Sequence, residues 1–230
     1  TKTYQNCKIV KNGNNFEIEY IQRTKPISTL EFVENEFSND NSKKDLVSLF
    51  ESSVFDYSKP VSLIKKLIEY SSAADDIVLD FFSGSATTAQ AVLQSNAEDR
   101  SERSFILVQL QEPCSKNSDA YRAGYKNICE IGKQRIRLCA DKLKESSNEI
   151  KPDCGFRVFK LDDSNMNDVY YSPAEYSQDL LSMLESNVKS DRTDLDLLFG
   201  CVLEWGLPLS LPYSSEQIEG CMVHNYNNGD

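Results

Sequence analysis

The sequence predicts an α/β fold, a sheet whose strands are joined by crossover helices, and three stretches predict it. Residues 58–72 carry an apolar stripe at helical spacing. Residues 75–96, "DDIVLDFFSGSATTAQAVLQSN", run from an apolar strand through a turn of small residues into a helix. Residues 101–113, "SERSFILVQLQEP", hold a second short apolar run bounded by charges. With the helix that follows, the order is helix, strand, helix, strand, helix, the signature of crossover connections.

Taken in order, residues 7–22, "CKIVKNGNNFEIEYIQ", predict a hairpin. Asn12-Gly13 supplies the positive φ of a tight turn, and Phe16, Ile18 and Tyr20 alternate with Glu17 and Glu19 as on a half-exposed strand. Residues 38–45, "SNDNSKKD", are polar and turn-rich and are expected to form a linker. In "DYSKPVSLIKKLIEYSS", Ser58 is the expected N-cap, and Pro60 falls in the first turn, where its missing N–H is harmless. Leu63, Ile64, Leu67 and Ile68 form the apolar stripe. The strand Ile77–Phe82 then meets Ser83-Gly84-Ser85-Ala86, and Phe105–Leu110 is expected to be a buried parallel strand.

Residues 119–146 predict the longest helix. Tyr121, Tyr125, Ile128, Ile136, Ala140 and Leu143 mark its apolar side, and Arg122, Lys126, Lys133, Arg135, Arg137, Lys142 and Lys144 make it basic. The basic residues are read as a solvated face, with contact to DNA phosphate or to a partner subunit as the second reading. Beyond it, "GFRVFKLDD" predicts a strand, and "PAEYSQDLLSMLESNVKS" and "DLDLLFGCVLEWGLPLSL" predict helices, the second stopping near Gly206 and Pro208. Trp205 is expected as a core or interface anchor. His224, the only histidine, is expected to be exposed, with no nucleophile arrangement around it.

Composition bounds the function. The net charge of -11 argues against a chain that grips a nucleic-acid backbone tightly by itself. No apolar run reaches the ~18 residues of a membrane span, and no signal peptide is visible. Seven cysteines without a CxxC pair point to free thiols in a reducing cytoplasm and to no metal site. The chain does not begin with Met, as expected of a processed chain or a piece of a longer one.

The turn after Phe82 has the chemistry of a cofactor site. In an open α/β sheet, ligands sit beyond the carboxyl ends of the strands. Gly84 lets the backbone approach a ligand closely. The helix N-terminus that follows favours an anionic group by roughly 0.3–1 kcal/mol. Asp80 places a carboxylate beside the turn, suited to an ammonium group or a bound water. Glu112, after the second strand, can hydrogen-bond a ribose diol, as acidic residues do there in dinucleotide folds. The turn is not a Walker loop, since no Lys-Ser or Lys-Thr follows, and it has one glycine where a dinucleotide fingerprint has three. A lone glycine in a strand-to-helix turn is also ordinary packing chemistry.

Read together, five segments carry a resemblance: "LFESSVFDYSKPVSLIKKLI", "DDIVLDFFSGSATTAQAVLQSNAED", "RSFILVQLQEP", "AGYKNICEIGKQRIR" and "GFRVFKLDDSNM". From about Leu46 to its end, the chain resembles the modification subunit of type III restriction-modification systems. These are adenine-specific DNA methyltransferases with the permuted, beta-type motif order. The resemblance implies a Rossmann-like methyltransferase sheet and S-adenosylmethionine as cofactor. By position, Phe55, Lys59 and Pro60 match the segment that cradles the methionine end. Asp80, Phe82, Gly84 and Ser85 match the loop under the cofactor, and Glu112 matches the acidic residue placed for the ribose. It further implies DNA engaged through a recognition region, a dimer and a restriction subunit as partners, and no membrane.

Two departures from the family follow. Its loop has Gly where this chain has Ala86, so a methyl group would crowd the cofactor if that backbone needs positive φ. The family's Asp-Pro-Pro-Tyr motif, which holds the flipped adenine, is missing: no two of the seven prolines are adjacent. The chain is thus expected to hold the end of the recognition region with its hairpin and linker (1–42), the S-adenosylmethionine-binding part (43–150) and a smaller α+β region (151–230), with no catalytic residue of its own. The strand ending at Phe82 would then expose an edge unless another segment covers it. The alternative is a non-catalytic interaction module that docks a partner subunit.

Overall fold

The structure is a computed structural model that describes residues 2–4, 7–12, 15–20, 28–146, 153–168 and 187–229. The chain forms two compact units, Thr1–Cys154 and Gly155–Asp230. The first begins with an antiparallel sheet of β1 (Lys2–Tyr4), β2 (Cys7–Asn12) and β3 (Asn15–Tyr20). The expected hairpin is β2–β3, with Asn12 opposite Asn15, and residues 13–14 at its tip lie outside the described residues.

The polar stretch expected as a linker is instead the start of helix α1 (Asn39–Phe50), capped by the Ser38 hydroxyl accepting from the Asn41 N–H. Ser42, Leu46 and Leu49 recur at helical spacing and are buried. The polar residues between them are that helix's wet side, and their composition masked the stripe. Helix α2 (Val61–Ser71) follows. Pro60 is its N-cap residue rather than part of its first turn, and no side chain caps it. Ser58, expected as the cap, is buried and hydrogen-bonded elsewhere.

The centre of the unit is a strand–helix–strand crossover. Strand β4 (Ile77–Asp80) leads into helix α3 (Thr87–Asp99), which returns to strand β5 (Ser104–Leu107), parallel to β4 with Leu79 opposite Ile106. Both strands stop short of Phe82 and Leu110. The Asp80 side chain accepts from the Phe82 N–H, and the Ser83 N–H donates to the Val108 carbonyl, so the chain turns where the apolar run continues. Val78 and Phe105 pack against Val61, Ile68, Ala91 and Val92 of α2 and α3. The other face is open, which corrects the expectation that residues 105–110 are buried. Alternation along the strands sets Ile77, Leu79 and Phe81 beside Ile106, Val108 and Leu110, and each of these is 51–72% exposed. Among the described residues no strand flanks the β4–β5 pair on either edge.

The single helix expected over 119–146 is two. Short α4 (Asp119–Arg122) ends at Gly124, whose φ of 97° breaks the helix, and α5 (Ile128–Ser146) starts afresh. Leu46, Val54, Ala120 and Ile131 form a second core cluster, with Phe50, Phe55, Cys114 and Tyr125 against it. Cys114, Cys129, Cys139, Cys154, Cys201 and Cys221 are free thiols, and among the described residues no helix is long and apolar enough to cross a membrane.

The second unit holds helix α6 (Asp194–Glu204) and an antiparallel hairpin of β6 (Tyr213–Ile218) and β7 (Cys221–Tyr226). Thr193 and Asp196 close α6 with reciprocal capping bonds. The strand expected at 155–163 is not found among the described residues. Its side chains pack instead: Phe159 meets Phe199 with ring centroids 5.2 Å apart, and Arg157 donates to the Leu209 and Leu211 carbonyls. Most of the helix expected at 173–190 lies outside the described residues. Trp205 is not a core anchor, being 74% exposed. His224 is not exposed as expected: its side chain is 15% accessible, with Nδ1 2.7 Å from the Ser215 hydroxyl, because the two residues are cross-strand partners.

Candidate cofactor-binding site

The turn between β4 and α3 is shaped by backbone conformation. Gly84 has φ 51° and Ala86 has φ 61°, both left-handed. The Ala86 N–H donates to the Ser83 carbonyl at 2.8 Å, and the Gly84 N–H donates to Gln109 Oε1 at 2.7 Å. A Cβ added at Gly84 would stand 3.7 Å from Phe55 Cζ, an ordinary contact. Conformation, not space, therefore asks for glycine at 84. Ala86 holds the same conformation at a cost of about 1 kcal/mol or more.

The condition under which Ala86 was expected to crowd a ligand is met, since its φ is positive. Its methyl, however, turns inward. Ala86 is 3% exposed, and a Cβ on Gly132 of α5 would lie 3.4 Å from the Ala86 Cβ. The methyl thus fills the seam between the turn and α5, opposite a glycine that leaves room for it.

Asp80 is the clasp of the turn. Oδ1 accepts from the Phe82 N–H at 3.1 Å, and Oδ2 accepts from Thr88 Oγ1 at 2.5 Å. Each carboxylate oxygen retains a second acceptor site, so the group can still take a further donor.

Beneath the turn lies a residue that composition assigned to a solvated basic face. Arg135 of α5 is 1% exposed. Its guanidinium donates to Gln90 Oε1 at 2.7 Å, Ser58 Oγ at 3.0 Å, Ser85 Oγ at 2.8 Å and Thr87 Oγ1 at 2.7 Å, and to the Ser85 carbonyl at 3.4 Å. One side chain thereby ties the segment before α2, the turn and the start of α3 to α5. Burial pulls its pKa from 12.5 down to about 10, a bias of about 3 kcal/mol against the charged form. The signal was in the sequence: Ile128, Ile131, Arg135 and Cys139 recur at helical spacing, which puts the arginine in the apolar register. The other cations of α5 are partly engaged too, Lys133 with Glu130 at 2.7 Å and Lys142 with the Ser48 carbonyl at 3.3 Å.

The residues singled out from sequence fall into two sets. Phe55, Asp80, Gly84 and Ser85 converge on the turn. Ser85 is buried, and its hydroxyl joins the arginine network. Pro60 is buried at the head of α2, and Lys59 beside it is exposed. Phe82 is 82% exposed, its ring 5.0 Å from that of Phe81. Glu112 is exposed beyond the end of β5, and its carbonyl accepts from the Ile128 N–H at 3.0 Å. Gln109 and Arg135, which shape the turn most directly, were not among the sequence candidates.

Residues 11–141 match the sequence pattern of a family described as DNA methylase. The chain is 38% identical over 144 residues to the type III restriction-modification enzyme StyLTI Mod subunit of Salmonella typhimurium, a match covering 63% of this chain and 22% of that protein. It is 38% identical over 123 residues to the EcoPI Mod subunit of Escherichia phage P1, covering 54% and 19%. It is 30% identical over 112 residues to the type II methyltransferase M.KpnI of Klebsiella pneumoniae, covering 49% and 27%. The chain spans about a fifth of the length of the type III relatives it matches.

Proposed function

This chain belongs to the DNA methylase family, and from that premise we propose that it is the S-adenosylmethionine-binding part of a site-specific adenine DNA methyltransferase of a type III restriction-modification system. The observation that carries the proposal is the turn Ser83–Ala86. Two left-handed residues bring bare backbone to the carboxyl end of β4, a carboxylate stands beside it, and a helix begins at its exit. These residues fit the cofactor: glycine at 84 permits close approach, and the Ala86 methyl is turned away into α5.

In this reading residues 43–150 are the cofactor-binding part of a Rossmann-like sheet, of which β4, α3 and β5 are one crossover. Phe55 offers an apolar wall, with Lys59 and Pro60 completing the segment that cradles the methionine end. Phe82 lies at the rim, and Ser85 supports the turn from below. Asp80 takes the ammonium group, and Glu112 the ribose hydroxyls. When bound, S-adenosylmethionine supplies a methyl group activated by its positively charged sulfur. The chain's own residues bind and orient. The Asp-Pro-Pro-Tyr motif, whose polar side chain and a backbone carbonyl accept from the adenine amino group in this family while its aromatic ring stacks on the base, is not on it. DNA, a second copy and a restriction subunit are the partners this reading implies.

Calorimetric titration with S-adenosylmethionine tests it. Saturable binding that weakens in Asp80→Ala is expected, with no methylation of DNA by the pure chain. Absence of cofactor binding in both the unaltered chain and Ala86→Gly would refute the site. A stable complex with a partner subunit, without cofactor binding, would favour the docking module.

A further inference from the structure

Arg135 is a buried cation without a counter-ion among the described residues. Every acceptor around its guanidinium is neutral: the Ser58, Ser85 and Thr87 hydroxyls, the Gln90 amide oxygen and the Ser85 carbonyl. Among the described residues no carboxylate stands within ion-pair distance of it; the Cys139 thiol, which burial pushes up to about 11, and then the Asp45 carboxylate act on it only through space. A charge taken this far from water is ordinarily matched by an anion. Here the charge is left over, and its place is specific. Two of its acceptors are the last-but-one residue of the turn and the first residue of α3, where the helix dipole adds partial charge of the same sign.

The next residue along α3 meets the opposite charge. Thr88 donates to Asp80 at 2.5 Å. The start of α3 therefore lies between a buried cation that reaches residues 85 and 87 and a carboxylate that reaches residue 88. One charge of each sign beside one stretch of backbone is the complement of an amino-acid zwitterion, which carries a carboxylate and an ammonium on the same carbon.

We infer that Arg135 is a specificity-determining positioning residue of the cofactor site, whose uncompensated charge, acting through Ser85 and Thr87, selects adenosyl ligands that bear a carboxylate. Asp80 complements the ammonium of the same ligand. The inference rests on the cofactor reading above and adds the group of the cofactor that is discriminated and the residue that does so. Arg135 is covered by the turn and acts by its field, not by touching the ligand.

The test is calorimetric titration of the full chain with two probes, S-adenosylhomocysteine and S-adenosyl-3-thiopropylamine, which is the same molecule without the carboxylate. The quantity read is the ratio of their affinities. The unaltered chain should prefer S-adenosylhomocysteine by roughly ten-fold or more. Gln90→Glu puts a counter-ion of nearly the same shape 2.7 Å from Arg135 Nε, and it should cut the ratio by roughly five-fold. Arg135→Lys should keep most of the preference, and Arg135→Met should abolish it.

A purely structural role for Arg135 would weaken both probes alike and leave the ratio unmoved. Gln90→Glu decides the matter even where Arg135→Met does not fold, because it adds a charge without removing a hydrogen bond. An unchanged ratio in folded Gln90→Glu, or equal affinity of the unaltered chain for the two probes, overturns the inference and leaves the cofactor reading standing. Binding of neither probe by the unaltered chain overturns the cofactor reading, and this inference with it.

Discussion

The two faces of the β4–β5 pair carry similar side chains and have opposite fates. On one, Val78 and Phe105 are packed under α2 and α3 against Val61, Ile68, Ala91 and Val92. On the other, Leu79 and Ile106 sit side by side, 59% and 51% exposed, with Ile77, Phe81, Val108 and Leu110 around them. Composition does not separate the faces; the presence of a packed layer does. The turn at the end of β4 is held from beneath through Arg135, Gln90, Ser58 and the Ala86–Gly132 seam, and at its ends by Asp80 and Gln109. A half-covered sheet can thus present a fully formed turn.

Substitutions measure that contrast directly. Ile68, 4% exposed on the covered face, should cost about 2–5 kcal/mol when changed to Ala, read from urea unfolding. Leu79→Ala on the open face should cost under about 1 kcal/mol, since most of its surface is already in water. A loss at Leu79 equal to that at Ile68 would mean the open face is covered in solution, and the comparison would fail.

Within the covered side, Gln90→Glu should raise stability by about 1–2 kcal/mol, because it pairs a charge that folding already buries. Ala86→Gly should be worth about 1 kcal/mol in the same direction by relieving a left-handed alanine, less whatever the lost methyl contributed in the seam with Gly132. A lower melting temperature in Ala86→Gly would show that the buried methyl outweighs the backbone strain.

A comparably small effect lies in the second unit. Thr193→Ala should cost about 1 kcal/mol by opening the α6 cap. The N–H and hydroxyl of Thr193 hold the Asp196 carboxyl below the usual carboxylate range. The folded pKa is therefore the lower one. Its contribution is present above the ordinary carboxylate pKa and fades as pH falls through the depressed value. Acid unfolding of Thr193→Ala, compared with the unaltered chain, should show the hydroxyl's share of that increment missing above the carboxylate range and the gap between the two curves narrowing below it.

The α/β order, the β2–β3 pairing, the turn at 83–86 and the stop of α6 were all legible, because each depends on near neighbours. A glycine between an apolar strand and an amphipathic helix, or a Gly and a Pro just past an apolar run, carries its geometry in a few residues. Errors arose where local signals pointed away from the tertiary answer. The polar Ser38–Asp45 stretch hid a helix whose buried residues are Ser42, Leu46 and Leu49. The 119–146 periodicity ran through Gly124, which breaks the helix. Strand β6, with Ser214, Ser215, Glu216 and Gln217 in succession between Tyr213 and Ile218, left no alternation to find.

Sequence alone determined the order of elements, the position of the small-residue turn and the kinship with DNA methylases, since these are properties of contiguous residues and their succession. Only the tertiary structure decided what lies beneath the turn. Arg135 reads as one more cation on a basic helix until α5 packs against α3. It then stands 45 residues from Gln90, 50 from Ser85 and 77 from Ser58 in sequence and within hydrogen-bond reach of all three. A charge changes its meaning when water is removed from around it, and which residues lose their water is settled by packing between segments distant in the chain.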